Sequence, residues 1–441
     1  MDNFVTSDIG VVGLGRYGGG LGLTRHLLKQ GYSVRLFDKL PQEELQSYLD
    51  ELEPWQDSLT CIFGEHQLTD FEGLQTCYLN PAVPWHGSLS NQLRERGVAL
   101  SSDMECFLAD WHLPVIGLTG SNGKSTCWEM LSHLLPDWSC GGNRGISVFD
   151  MPQENTQGCV LELSSFQLER ISYRFPVAIV TTFTPDHLDQ HGCMEDYRAA
   201  KERISHFQQV SDLCLLGREV DSWVSQGRVL RLGKDFEFEG QQLKYEEGAS
   251  FTMQRFPLRG PHNRDLLALA IAAAREVLGN DEVLQQRLDQ FCDEGMLPLP
   301  YRQNIKAEQP YLVVNDSKAT TPESTICALK AFSPEGPFLH LICGGKEKDL
   351  DISALIEEVK KTACKVYVIG EQSDRWKNQA PNLSIEYCGD LQNAVRQIAE
   401  IIQEEEVLLL SPGTSSFDQF RNYKERGECF DKLIDTLVLK K

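Results

Sequence analysis

Strand-length apolar runs recur along the chain, each ending in a turn and followed by a stretch with helical spacing of apolar residues. Ile9-Gly-Val-Val-Gly-Leu14 runs into a glycine-rich turn, then Leu21 to Lys29 reads as a helix, and Ser33 to Phe37 as a second strand. Leu113 to Thr119, Cys159 to Leu163 and Val177 to Thr182 repeat the strand pattern, with helices around Met194 to Phe207 and Ala268 to Leu278. Tyr311 to Val314, Phe338 to Cys343, Lys365 to Ile369 and Val407 to Leu410 continue it. Strands that alternate with helices predict parallel sheets covered on both faces, an α/β class. Residues 232–258 alternate loosely between glycines and predict a small antiparallel insertion. The grammar divides the chain into a Rossmann-like segment at 1–97, a central P-loop ATPase-type parallel-sheet segment at 98–301, and a doubly wound α/β segment at 302–441.

Length agrees with that division, because 441 residues exceed what a single core accommodates. No apolar run reaches bilayer length, and the N-terminus lacks the basic and apolar blocks of a signal peptide, so a cytoplasmic protein is expected. The 14 cysteines form no Cys-x-x-Cys pair and read as buried thiols of a reducing compartment. A net charge of −22 argues against nucleic acid as a partner and requires local cations wherever an anionic substrate binds.

Candidate chemistry starts at Gly120-Ser-Asn-Gly-Lys-Ser-Thr126, directly after an apolar run. Backbone N–H groups of Gly120, Ser121, Asn122 and Gly123 at the start of a helix form a phosphate cradle. Lys124 would reach the terminal phosphates, the Ser125 hydroxyl would sit on Mg²⁺, and Thr126 completes the loop. Leu118 stands where the full eight-residue motif has its first glycine. Near the N-terminus, Gly13, Gly15 and Gly18 with Asp38 twenty residues on make a dinucleotide fingerprint. On its own this motif admits NAD, a mononucleotide or a nucleotide sugar, and Asp38 can equally be a turn residue. The extra glycines at 19 and 20 suggest a bulky group approaching the backbone. Further on, Glu162 opens Glu-Leu-Ser-Ser-Phe-Gln167 after a strand, Asp186-His187-Leu-Asp189 follows another, and Lys201 lies in a predicted helix. Asn315-Asp-Ser-Lys-Ala-Thr320 and Ser411-Pro-Gly-Thr-Ser-Ser-Phe-Asp-Gln-Phe420 each follow a strand near the end.

On these motifs the chain resembles the Mur ligases, ATP-dependent amide-forming enzymes of peptidoglycan precursor synthesis. Within the family, the last two motifs and Glu162 to Glu169 are similar to those of the branch that adds glutamate to UDP-N-acetylmuramoyl-L-alanine. The resemblance implies small-molecule substrates (that UDP-sugar and glutamate), ATP, and two Mg²⁺ ions. It assigns Lys124, Ser125 and Glu162 to phosphate and the first ion, His187 to the second, and Lys201 to a carbamylated oxygen ligand. Gly15, Asp38 and Lys39 would face uridine diphosphate. Asn143, Ser164 and Gln167 would line the sugar and alanine end. Asn263, Arg302 and Asp316 match ATP contacts, while Lys318, Thr320, Lys348, Ser416 and Tyr423 match the glutamate pocket. The implied reaction brings an ATP site and an amino-acid pocket on different domains together by closure, and a monomer is expected, since three domains around one cleft need no partner.

Several positions depart from the family pattern. Leu266 replaces a second adenine-side asparagine, Tyr301 a histidine, and Arg16 and Tyr17 small or apolar residues. Ser411-Pro-Gly-Thr-Ser-Ser416 differs from the usual Pro-Ala-Cys-Ala-Ser, and Tyr423 stands for phenylalanine. These last changes fall where the amino acid's handedness is read, so D-glutamate and L-glutamate both remain open. An NAD oxidoreductase would explain residues 13–38 and nothing after them.

Overall fold

The computed structural model describes residues 9–15, 19–143, 147–256, 258–296, 298–347 and 350–439. The chain divides into two compact units, one of Met1–Glu237, Leu243–Ser250 and Leu267–Arg287, the other of Phe238–Gln242, Phe251–Leu266 and Leu288–Lys441.

The first unit holds two sheets. Strands β1 (Ile9–Val12), β2 (Val34–Asp38), β3 (Leu59–Phe63), β4 (Thr76–Leu79) and β5 (Ala99–Ser101) form one in the order β3-β2-β1-β4-β5, every pairing parallel. Neighbouring residues feed opposite cores: Val11, Val34 and Leu36 join one cluster, Val12 and Phe37 the other. Period-two alternation between two apolar faces is what a sheet covered on both sides requires. Strands β6 (Val115–Thr119), β7 (Ser139–Gly142), β8 (Cys159–Glu162), β9 (Val177–Val180), β10 (Leu213–Leu216) and β11 (Arg228–Arg231) form the other, ordered β11-β10-β9-β6-β8-β7 and again parallel.

A small three-stranded sheet, β12 (Phe236–Glu239), β13 (Gln242–Tyr245) and β14 (Ser250–Thr252), occupies the region read as an insertion. The second unit is built on β15 (Asn304–Ala307), β16 (Leu312–Asn315), β17 (Leu339–Gly345), β18 (Cys364–Gly370), β19 (Ile385–Gly389) and β20 (Val407–Leu410), in the order β15-β16-β20-β17-β18-β19. Its edge strand β15 runs antiparallel to β16 and the rest are parallel, so the sheet is mixed. Val313 and Val314 again point into separate cores. The α/β class and its parallel sheets therefore agree with the sequence pattern.

Two of the glycines in and after the turn that follows β1 are required by packing. The helix Gly19–Lys29 begins among them, and a Cβ on Gly20 would stand 2.0 Å from the Gly13 carbonyl oxygen. One on Gly22 would stand 2.1 Å from Ser147 Oγ. Only glycine lets this helix approach the turn beneath it so closely. Gly18, Arg16 and Tyr17 lie outside the described residues. The described cysteines are free thiols, and among the described residues no helix is long and apolar enough to cross a membrane.

Candidate active site

Strand β6 occupies an interior position of its sheet, between β9 and β8. Its carboxyl end therefore has the ends of both neighbours beside it. The strand runs through Thr119 with Leu118 fully buried, which is why no glycine is needed at 118. Gly120 (φ +149°) and Gly123 (φ +82°) make the turn, and the helix Lys124–Leu134 starts from Gly123. A Cβ on Gly120 would sit 2.0 Å from Thr181 Oγ1, so the turn presses on the end of β9. That contact is stitched by hydroxyls. Thr182 Oγ1 accepts from the Asn122 amide at 2.8 Å, and Thr181 Oγ1 donates to the Asn122 carbonyl at 2.5 Å. Ser121 Oγ donates to the Thr184 carbonyl at 2.8 Å and lies 3.1 Å from the Tyr197 hydroxyl. Ser121 and the Asn122 backbone are thus committed to shaping the loop. Thr181, Thr182, Thr184 and Tyr197 do this shaping, and sequence reading missed them. The polar run directly after an apolar strand was their one signal.

Two lysine amines meet at one oxygen. Lys124 Nζ donates to the Gly120 carbonyl at 2.8 Å and to that of Ser121 at 3.1 Å. Lys201, carried by the helix Met194–His206, donates to the same Gly120 carbonyl at 2.9 Å and to Thr119 Oγ1 at 3.4 Å. Lys201 is 2% exposed, and burial, reinforced by the Lys124 charge, holds its amine well below the ordinary lysine range. Asp186 and Glu162 oppose that shift and do not overcome it. A neutral lysine amine is a nucleophile.

Glu162 ends β8, in register with Leu118 of β6 on one side and Gly142 of β7 on the other. It is 2% exposed, and its Oε2 has no hydrogen-bond partner among the described residues. A buried carboxylate oxygen without a donor is costly unless a cation completes it. Hard oxygens from Glu162 and the buried Ser125 hydroxyl suit Mg²⁺, which takes one or two carboxylates and fills its shell with water and phosphate oxygens. Among the described residues no group of three or more His, Cys, Asp or Glu side chains forms a metal cage. His187 follows β9 in a left-handed conformation (φ +54°), its ring 3.3 Å from Asp186 Oδ2 and edge-on to Phe166.

A cavity of about 1330 Å³ in this unit is lined by Gly15, Asp38, Lys39, Asn143, Ser164, Gln167 and His187 together. Residues read from separate motifs thus line one cavity. Within it, Asp38 has a structural task. Its Oδ2 accepts from the Leu14 amide at 2.9 Å and its Oδ1 from the Leu40 amide at 3.0 Å, tying the glycine turn to β2. Ser164 and Gln167 form a capping box at the start of the helix Ser165–Leu168. Asn143 is held by its own amide, which donates to the Glu162 carbonyl at 2.8 Å.

In the second unit, Asp316 is 5% exposed, and burial pushes its carboxyl up to about 7 against the pull of Ser411, the Gln303 amide, Arg302 and Arg426. Ser411 Oγ donates to its Oδ2 at 2.9 Å and the Gln303 amide to its Oδ1 at 3.1 Å. Gln303 Nε2 lies 3.2 Å from His262 Nε2, and His262 precedes Asn263, whose amide donates to the Arg259 carbonyl at 2.6 Å. Asn263, Arg302 and Asp316 are therefore joined through Gln303 and His262. Leu266, in the asparagine position, is buried.

Asn315 and Ser317 tie the loop after β16 to the helix Tyr423–Leu433. Asn315 Nδ2 donates to Asp431 Oδ1 at 2.9 Å, and Ser317 Oγ to the Tyr423 carbonyl at 2.8 Å. Lys318 Nζ stands 3.9 Å from the centre of the Tyr423 ring. Arg426, fully buried and missed from sequence, donates to the Ser317 carbonyl at 2.8 Å and that of Thr414 at 3.2 Å. It joins the loop carrying Thr320 to the loop carrying the buried Ser416. Lys348 lies outside the described residues.

Comparison with known proteins agrees with this layout. Residues 118–263 match the Mur ligase middle domain, and residues 301–413 match the Mur ligase glutamate ligase domain. The UDP-N-acetylmuramoylalanine–D-glutamate ligase of Koribacter versatilis is 30% identical, with 96% of each chain covered. The enzyme of that name from Zymomonas mobilis is also 30% identical, with 97% of each chain covered. In fold, the chain is similar to the crystal structure of the UDP-N-acetylmuramate-alanine ligase of Thermotoga maritima, with a TM-score of 0.58 at 19% identity, covering 97% of this chain and 99% of that one.

Proposed function

The chain belongs to the Mur ligase family of ATP-dependent ligases, and from that premise we propose that it joins D-glutamate to UDP-N-acetylmuramoyl-L-alanine in peptidoglycan precursor synthesis. The alanine carboxylate attacks the γ-phosphorus of ATP, releasing ADP and forming an acyl phosphate. The glutamate amine then attacks the acyl carbon, loses its proton, and inorganic phosphate leaves with the C–O bond electrons. Transfers of this kind rest on positioning and charge neutralisation. Lys124 neutralises phosphate oxygens. Ser125 and Glu162 would hold one Mg²⁺ and His187 would serve a second; when bound, the ions would supply charge neutralisation across the phosphates. Lys201, neutral in its buried site, would add its amine nitrogen to the carbon of CO₂ and lose a proton, and the resulting carbamate would offer an oxygen to Mg²⁺.

Uridine diphosphate lies along Gly15, Asp38 and Lys39, with Asn143, Ser164 and Gln167 at the sugar and alanine end. Adenosine meets Asn263, Arg302 and Asp316, and glutamate meets Lys318, Thr320, Lys348, Ser416 and Tyr423. The working divisions are 1–97 for the UDP moiety, 98–301 for ATP and 302–441 for the amino acid. The enzyme acts as a cytoplasmic monomer.

The observation that carries this reading is the convergence at the Gly120 carbonyl, where Lys124 and Lys201 meet beside a loop built for phosphate. A second reading, L-glutamate as the added amino acid, is favoured by Ser411-Pro-Gly-Thr-Ser-Ser416 and Tyr423 in the pocket. Purified protein with ATP, Mg²⁺, UDP-N-acetylmuramoyl-L-alanine and each glutamate enantiomer decides between them. Phosphate release with the D form alone supports the main reading, release with the L form alone supports the second, and release with neither refutes both.

A further inference from the structure

Arg170 belongs to no motif that the proposed reaction uses, yet it is 3% exposed and its guanidinium is engaged on both terminal nitrogens. Nη1 donates to the carbonyls of Leu79 at 2.8 Å and Asn80 at 2.9 Å. Nη2 donates to those of Pro81 at 3.2 Å and Val83 at 2.5 Å. One side chain thus grips four carbonyls of the turn that leaves β4. Asn80, Pro81, Ala82 and Val83 line the 1330 Å³ cavity, as do Ser164, Phe166 and Gln167, just before Arg170 in the chain.

The surroundings hold the guanidinium in place. The Trp85 ring centre is 4.7 Å from the Arg94 guanidinium carbon and 5.2 Å from that of Arg170. Burial lowers the Arg170 pKa, and the charges of Glu169 and Asp103 oppose that shift. Asp103 itself lines the cavity beside Gly19.

We infer that Arg170 is a positioning residue for the UDP-sugar substrate: it fixes the 80–83 lining segment against the 164–167 lining segment before substrate arrives. The inference rests on the assignment of this cavity to the UDP-sugar. A cavity held in its competent form avoids the loss of affinity that a mostly open ensemble incurs, since apparent affinity scales with the competent fraction. A lysine ammonium carries three donors and no planar fork, so it cannot span four carbonyls.

The test measures steady-state kinetics and UDP-N-acetylmuramoyl-L-alanine binding for the wild type, Arg170→Lys and Arg170→Gln. The expected result is a KM for the UDP-sugar raised roughly 10- to 100-fold in both variants, as a competent fraction of a tenth to a hundredth gives. The KM for ATP and kcat at saturating UDP-sugar should stay near wild type. A lower kcat with unchanged UDP-sugar KM indicates a purely structural residue and overturns the inference. Wild-type protein that does not bind the UDP-sugar at all refutes the cavity assignment itself. Hydrogen exchange on the wild type needs no variant to fold. The amides of Asn80, Ala82 and Val83 should be protected without ligand, and rapid exchange that slows only on adding the UDP-sugar overturns the inference.

Discussion

Lys201 offers the sharpest quantitative test, because its burial ties a stability profile to the chemistry proposed for it. Replacing it with methionine keeps most of the side-chain volume and removes the amine. In the native protein the amine stays neutral well below the ordinary lysine range, for reasons of burial first and of the Lys124 charge second. In the unfolded chain it ionises near pH 10.4. Going down from that pH, the unfolded state gains a proton that the native state does not. Wild-type stability therefore falls relative to Lys201→Met as pH falls, by about 1.4 kcal/mol per unit, and the gap levels once the native amine ionises.

Urea unfolding midpoints measured for both proteins from pH 10 downward, in CO₂-free buffer, read this difference directly. The variant should be inactive throughout while becoming progressively the more stable of the two. Parallel curves would show that Lys201 ionises alike in both states, and the argument for a nucleophilic amine would fail with them. Bicarbonate labelled with ¹³C should then give a carbamate signal in the wild type alone. Lys201→Ala, which leaves space, should recover part of its activity with added short-chain carboxylic acids; absence of recovery would count against the carbamate and leave the ligase assignment standing.

Lys124→Ala should abolish substrate-dependent phosphate release, by roughly a hundredfold or more, with far-UV circular dichroism unchanged; near-wild-type release would remove the loop from the mechanism. For Asp316, burial raises the native pKa to about 7 against 3.8 for the ordinary group, so its contribution is intact at low pH and is lost as pH rises through 7. Asp316→Asn should accordingly match the wild type near pH 4 and exceed it at pH 8 by at most roughly 4 kcal/mol, as urea midpoints would report. An advantage that shrinks with rising pH would contradict the assigned shift. Asp38→Ala leaves the Leu14 and Leu40 amides without their acceptor; a loss of about 1–3 kcal/mol is expected, together with a higher KM for the UDP-sugar. Unchanged stability would mean that another acceptor replaces the carboxylate.

The candidate site was legible where function and local geometry use the same residues. The Gly120–Thr126 loop announces itself because a phosphate cradle needs glycine conformations, a lysine and a hydroxyl within one turn. Glu162 and His187 could be placed beside it because strand ends in a parallel sheet lie on one edge, and β8 and β9 flank β6. Asp38 was half legible. Its spacing to the glycines pointed to a ribose, but not to the bonds it accepts from the Leu14 and Leu40 amides, a geometry that exists only once β1 and β2 are side by side.

What escaped the sequence is what closes over long distances with a single residue. Arg170 reaches carbonyls some ninety positions earlier, and Arg426 joins loops around Ser317 and Thr414, yet each is one basic residue that no motif singles out. Neither periodicity nor motif spacing encodes such a partner, because backbone carbonyls carry no residue identity. Burying a guanidinium is costly unless its donors are satisfied, so a fully buried arginine aimed at loop carbonyls marks a place where loop position is held at considerable desolvation cost. Motif spacing thus reveals groups that act together within one turn or strand end, while a single buried arginine that ties distant loops shows only in the folded chain.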